Sequence, residues 1–225
     1  MNSDKRLKLA LLSLLFSTVL AARPADSLRV ELSVGADVVN HYVWRGLLLG
    51  DAPAIQPSMS VSYRGFSFGS WASYSVSPAD FQEVDLYFTY TAGSFTFGIN
   101  DYYNPVDIPG FDDQYFDFGR TTTLHSLEPF ITVSEIAGTK FSATAAVFVY
   151  GNDRDAEDRN YYSSYFELGY STTVNDFGLD IFGGATFNEG YYADHAAIVN
   201  LGLTISKEIG ITEEFTVPCW GSFIL

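Results

Sequence analysis

Residues 55–64 read Ile-Gln-Pro-Ser-Met-Ser-Val-Ser-Tyr-Arg. Ile55, Pro57, Met59, Val61 and Tyr63 alternate with Gln56, Ser58, Ser60, Ser62 and Arg64. Successive side chains of a strand point to opposite faces, so this segment makes a strand with one apolar and one polar side. The pattern recurs along the chain. Val30, Leu32, Val34, Ala36 and Val38 alternate with Glu31, Ser33, Gly35, Asp37 and Val39. Phe141, Ala143, Ala145, Val147 and Val149 alternate with Ser142, Thr144, Ala146, Phe148 and Tyr150. Segments of about ten residues with this period, joined by turns, are the signature of a transmembrane β-barrel.

A soluble sheet also alternates, with its apolar face in a core and its polar face in water. Three features favour the inverted arrangement. The polar positions are mostly small and uncharged, as at Ser58, Ser60, Ser62, Ser67, Gly69, Ser73, Ser142 and Thr144, where a soluble surface carries more Lys and Glu. Charges gather instead between strands, as in Asp153, Arg154, Asp155, Glu157, Asp158 and Arg159. Tyr42, Trp44, Tyr63, Phe66 and Tyr74 lie toward strand ends, where the aromatic girdles of such barrels belong.

Eleven strands are expected, over 29–44, 54–64, 66–76, 83–92, 94–103, 125–134, 140–150, 161–174, 177–187, 196–206 and 215–225. Their connections alternate. Those at 45–53, 77–82, 104–124, 151–160 and 188–195 are long, and the others are mostly short. Arg64-Gly65, Gly93 and Asn175-Asp176 supply tight turns, whereas 207–214 is the weakest point of the scheme. Short turns on one side and long loops on the other are the habit of outer-membrane barrels, which places loop 45–53 on the exterior. Such barrels normally have an even strand count, so the sequence suggests a twelve-strand design whose closing C-terminal strand is missing.

The N-terminus fits the same compartment. Lys5, Arg6 and Lys8 precede an apolar run from Leu9 to Leu20, followed by Ala21 and Ala22. This reads as a signal peptide over 1–22, leaving one barrel domain over 23–225. The whole chain carries a formal charge of −15, which argues against nucleic acid as a partner. Cys219 is the only cysteine, so neither an intrachain disulfide nor a cysteine zinc cluster can form. The expected partners are outer-membrane lipid and small hydrophilic solutes, with a homo-oligomer possible, and no cofactor or metal is expected.

The run Asp37-Val38-Val39-Asn40-His41-Tyr42-Val43-Trp44-Arg45-Gly46 resembles the N-terminal hallmark of the TorF-type putative porins. These are bacterial outer-membrane barrels of poorly characterised function. The stretch Pro218-Cys219-Trp220-Gly221-Ser222 is similar to their penultimate strand, which they follow with a final strand ending in an aromatic residue. The resemblance implies a pore-like role and transfers no catalytic residue.

The polar face carries Glu31, Asp37, Glu83, Asp85, Glu128, Glu167 and Asp180 against few cations, namely Arg29, Arg45, Arg64 and Lys140. If it lines water, its field disfavours anions. If these groups pair across a filled interior, nothing passes. Arg45 either reaches inward to acidic wall residues or anchors the rim, with Gly46 opening the loop at positive φ; a rim role is the commoner one. Loop 104–124 is long enough to fold inward, and its Phe111, Tyr115, Phe116 and Phe118 suit either the interior or a sticky exterior. The acidic positions Asp153, Asp155 and Glu157, and likewise Asp107, Asp112, Asp113 and Asp117, read as solvated loops rather than calcium sites. An outer-membrane lipase-type enzyme is the competing class. His125 and Ser126 are neighbours on a strand and point apart, so they cannot form its Ser-His pair. His41 and His195 read as rim residues. The expectation is therefore a porin-like channel for passive diffusion and not an enzyme. The alternative from a third class is a non-conducting structural or adhesive barrel.

Overall fold

The computed structural model describes residues 29–77, 80–105, 114–213 and 215–225. The expected leader over 1–22 lies outside the described residues, as do Asp107, Phe111, Asp112 and Asp113. The chain forms β1 (Glu31–Val39), β2 (Tyr42–Trp44), β3 (Leu47–Gly50), β4 (Ala54–Tyr63), β5 (Phe66–Ser75), β6 (Gln82–Ala92) and β7 (Phe95–Tyr103). It continues with β8 (His125–Val133), β9 (Phe141–Val147), β10 (Tyr150–Gly151), β11 (Ser164–Val174), β12 (Phe177–Thr186), β13 (Ala197–Gly210) and β14 (Thr216–Ile224). Between β8 and β9 lies a single 3-10 turn, Ile136–Gly138.

One antiparallel ladder takes the strands in chain order, β1-β4-β5-β6-β7-β8-β9-β11-β12-β13-β14. The short β10 joins it by pairing with β8, which makes a 12-stranded sheet; β2 and β3 pair only with each other. The tight turns have the expected chemistry. Tyr63 pairs with Phe66 across Arg64 and Gly65, whose φ values are 49 and 84. Positive φ at both central residues matches the right-handed twist of a hairpin. Val174 pairs with Phe177 across Asn175, at φ 55.

Three expectations need correction. Strand 29–44 is not continuous. It ends at Val39, bends at Asn40 and His41, and restarts as β2. Segment 207–214 is not all loop, because β13 runs on to Gly210 and pairs with Thr216. Among the described residues the ladder also does not close, since β1 and β14 each have one neighbour in it. The sheet nevertheless curls, because side chains from its two ends meet. Trp220 of β14 packs on Val39 and Ala54, and Ile224 of β14 packs with Val43 and Phe182.

The two faces have inverted burial. Leu32 is 72% and Val34 74% exposed, and Phe68, Phe88 and Phe97 are each about half exposed on the same face. The opposite, inward face buries Gln56, Ser73, Glu83, Asp85, Glu128 and Asn200. A soluble sheet does the reverse. Near the turns the outward face carries aromatic rings. Phe66 lies 4.5 Å from Tyr90, and Phe141 lies 5.0 Å from Tyr170.

Candidate functional site

The expected exterior loop 45–53 is instead largely a hairpin inside the curl. After the bend at His41, β2 and β3 carry Trp44, Arg45 and Gly46 inward. Arg45 itself has φ 48 and Gly46 has φ 84. A Cβ on Gly46 would sit 1.9 Å from the Val199 carbonyl oxygen, so the tip touches the backbone of β13. Only glycine fits both the conformation and the contact.

This hairpin places Arg45 opposite the fully buried Glu128 of β8. The pair is bidentate, with Nη1 2.5 Å from Oε1 and Nη2 2.9 Å from Oε2. Two-point contact of this kind fixes geometry as well as charge. Glu128 also accepts from the Tyr102 hydroxyl at 2.8 Å and the Tyr192 hydroxyl at 3.2 Å. Arg45 Nη1 additionally donates to the Tyr192 hydroxyl. The guanidinium lies 4.3 Å from the Tyr165 ring and 4.5 Å from the Trp44 ring, close enough for cation–π attraction. The rim-anchor reading of Arg45 is therefore overturned in favour of inward pairing. Trp44 likewise leaves the expected girdle. It stacks on Tyr192 at 5.6 Å and meets Tyr102 edge-on at 5.4 Å. Tyr42 is buried inside beside Trp71, at 5.3 Å.

The seven expected acidic residues all fall on the inward face, but not in one cluster. Glu128 holds Arg45. Glu167 accepts from the Tyr165 hydroxyl and from Asn200 Nδ2 at 2.9 Å. Glu83 and Asp85 of β6 are buried, and each keeps an oxygen without a hydrogen-bond partner, as does Trp71 Nε1. Asp37 faces Gln56 and Asp180 lies between Ser171 and Thr204 in the ladder. Glu31 sits opposite Ser62 at the open edge. Of the expected cations, Arg64 lies in a turn 5.2 Å from the Tyr63 ring, and Lys140 donates to Thr172 Oγ1 at 2.5 Å. Neither belongs to the Arg45 network.

Tyr102, Tyr165, Tyr192 and Asn200 complete that network and were not singled out from the sequence. Tyr102 and Tyr165 were legible by parity, since they occupy polar-face positions of their strands. Tyr192 and Trp44 were not, because loop and hairpin geometry bring them in.

Loop 104–124 does not fold inward over its described part. Its Tyr115 and Phe118 instead pack on His125, which the β7–β8 register places on the outward face, with Phe118 stacked on the ring at 4.3 Å. His125 and Ser126 do point to opposite faces, as strand geometry requires. In loop 151–160 the acidic groups are engaged internally. Asp153 accepts from the Ser163 amide at 2.9 Å and its hydroxyl at 2.6 Å. The Asp155 carboxyl is held below its ordinary range by the Arg159 backbone N–H, helped by the Arg159 guanidinium and the Glu157 N–H.

No curated protein and no solved structure is matched by this chain. One family pattern matches residues 22–217, and its description assigns no function, so it leaves the porin resemblance unsupported. The chain belongs to the Gcw_chp family, described as bacterial proteins of unknown function.

Proposed function

We propose that this protein is a pore-like component of a bacterial outer membrane, passing small hydrophilic solutes passively and disfavouring anions. The observation that carries the reading is the inverted burial. A wall with exposed Leu32, Val34, Phe68 and Phe97, and buried Glu83, Glu128 and Asn200, suits hydrocarbon outside and polar groups within. The rings near the turns fit an interfacial girdle. The TorF-type resemblance at Asp37–Gly46 points the same way. The reading includes closure of the ladder into a barrel, since each unpaired backbone group in hydrocarbon costs several kcal/mol. An excess of acidic side chains on the inward face sets the preference against anions.

The hairpin is the obstacle in this passage. Arg45 and Glu128 bridge the interior, so a solute must pass the hairpin or displace it. The same bridge favours the second reading, a non-conducting wall. Planar-bilayer recording of the full-length protein separates them. The channel reading expects stepwise, cation-preferring conductance that increases in Gly46→Val, whose added side chain drives the hairpin tip off Val199. Silent bilayers for both proteins, with insertion shown by protease protection, leave the non-conducting wall. Hydrolysis of vesicle lipid favours the enzyme class instead.

A further inference from the structure

His125 lies outside the interior network. It stands on the outward face of β8 beside Asp101 of β7, yet it is fully buried. The cover comes from segment 114–124 and from β7. Phe118 stacks on the ring at 4.3 Å, Tyr103 lies at 4.8 Å and Tyr115 at 5.1 Å. Nδ1 is 2.8 Å from Asp101 Oδ1, and Nε2 is 2.5 Å from the Tyr115 carbonyl oxygen. A carbonyl oxygen and an ionised carboxylate are both acceptors only. Two ring nitrogens can donate at once only in the imidazolium.

We propose that His125 and Asp101 form a proton-dependent latch that holds segment 114–124 against the outer face of the wall. With the proton bound, the ring donates to Asp101 and to the loop carbonyl together. When it leaves to solvent, one N–H remains. The carboxylate is the stronger acceptor and keeps it, because charge-assisted bonds are roughly twice as strong as neutral ones. The Nε2 lone pair then faces the lone pairs of the Tyr115 carbonyl, and attraction becomes repulsion. The latch is closed at low pH and opens as pH rises. The surrounding charges agree with a cationic ring. Asp101 touches it, and Asp117 on the loop and the ring attract each other. The phenols of Tyr103 and Tyr115 pack on the ring. Arg154, from the next loop, bonds the Thr123 carbonyl at 3.4 Å. Two other ties survive opening. The Tyr150 hydroxyl donates to the Phe118 carbonyl at 2.6 Å, and Arg120 Nη1 donates to the Asp158 carbonyl at 3.1 Å. The latch therefore frees the stretch around Tyr115 and Phe116 and does not detach the whole segment.

The test is chymotrypsin cleavage after Tyr115 and Phe116 in the full chain in detergent, comparing wild type with His125→Gln at each pH. The comparison divides out the protease's own pH dependence. Wild type should be cut about tenfold more slowly at about pH 5.5, with the difference gone at about pH 8.5. A ratio that does not change with pH overturns the latch. Should the variant fail to assemble, nitrogen NMR of the wild-type ring decides, assigned with His41→Asn and His195→Asn. Protonation of both His125 nitrogens at low pH, lost in step with protection of the segment, supports the latch. A neutral ring throughout overturns it.

Discussion

The inward face is built in two ways. Toward the long loops it carries Arg45, Tyr102, Glu128, Tyr165 and Tyr192, whose contacts run from the β2–β3 hairpin across to β7, β8 and β11. Toward the tight turns it carries short hydroxyls. Ser62 bonds Ser67 at 2.9 Å, Thr91 bonds Thr96 at 3.0 Å and Thr132 bonds Thr144 at 2.9 Å. Each of these links only two neighbouring strands. Both halves are polar, so polarity alone does not distinguish them. Reach does: a Tyr or Arg crosses the interior and depends on a partner there, while a Ser or Thr is satisfied by the adjacent strand.

Glu128→Gln gives the largest effect and tests the comparison most directly. It keeps the shape but leaves the Arg45 guanidinium buried with no opposing charge. Removing one partner of a buried ion pair costs about 3–5 kcal/mol. The midpoint of urea unfolding in detergent should fall accordingly. If the midpoint stays put, Arg45 finds water when Glu128 is neutral, and the loop-side half is wetter than its packing indicates.

Gly46→Ala comes next. The residue sits at φ 84 and an added methyl meets the Val199 carbonyl. Left-handed backbone without glycine costs about 1–3 kcal/mol, before the clash. The strain falls on the hairpin tip. Hydrogen exchange should therefore quicken in Tyr42–Gly50 and stay unchanged in β4 and β5 near their shared turn. Faster exchange in both places would mean that the two halves are one cooperative unit.

Much of this division was readable from the chain. Alternation located the strands because one side of each was apolar at every second position, as in 55–63. Parity put Glu83, Asp85, Glu128 and Glu167 on one face with no knowledge of their partners. The hairpin escaped because the alternation of Val30–Val38 is followed, after only Asn40 and His41, by apolar Tyr42-Val43-Trp44, which reads as more of the same strand. Local pattern carries side-chain parity, not the direction a strand takes after a kink. Tyr192 and the cover over His125 escaped for a related reason: loops position side chains through distant contacts, which no periodicity records. Ring closure was inferred from an even-strand habit, and the ladder's free edges at β1 and β14 carry no local mark that the alternation could expose.

Thr132→Val has the smallest expected effect and marks the other end of the comparison. The substitution keeps the β-branched shape and removes the hydroxyl that meets Thr144 at 2.9 Å. A typical hydrogen bond is worth about 0.5–1.5 kcal/mol net, and Thr144 can turn to water or to the backbone when its partner goes. Valine also packs well on a pleated sheet, which offsets part of the loss. The urea midpoint should move by less than half the shift of Glu128→Gln, and hairpin exchange should not respond. The double variant then becomes informative. Distant sites that share no partner add within about 0.5 kcal/mol. Additivity between Thr132→Val and Glu128→Gln, four residues apart on the same strand and face, would mean that the boundary between the halves runs through β8 itself. A clear departure from additivity would place both residues in one network and dissolve the distinction.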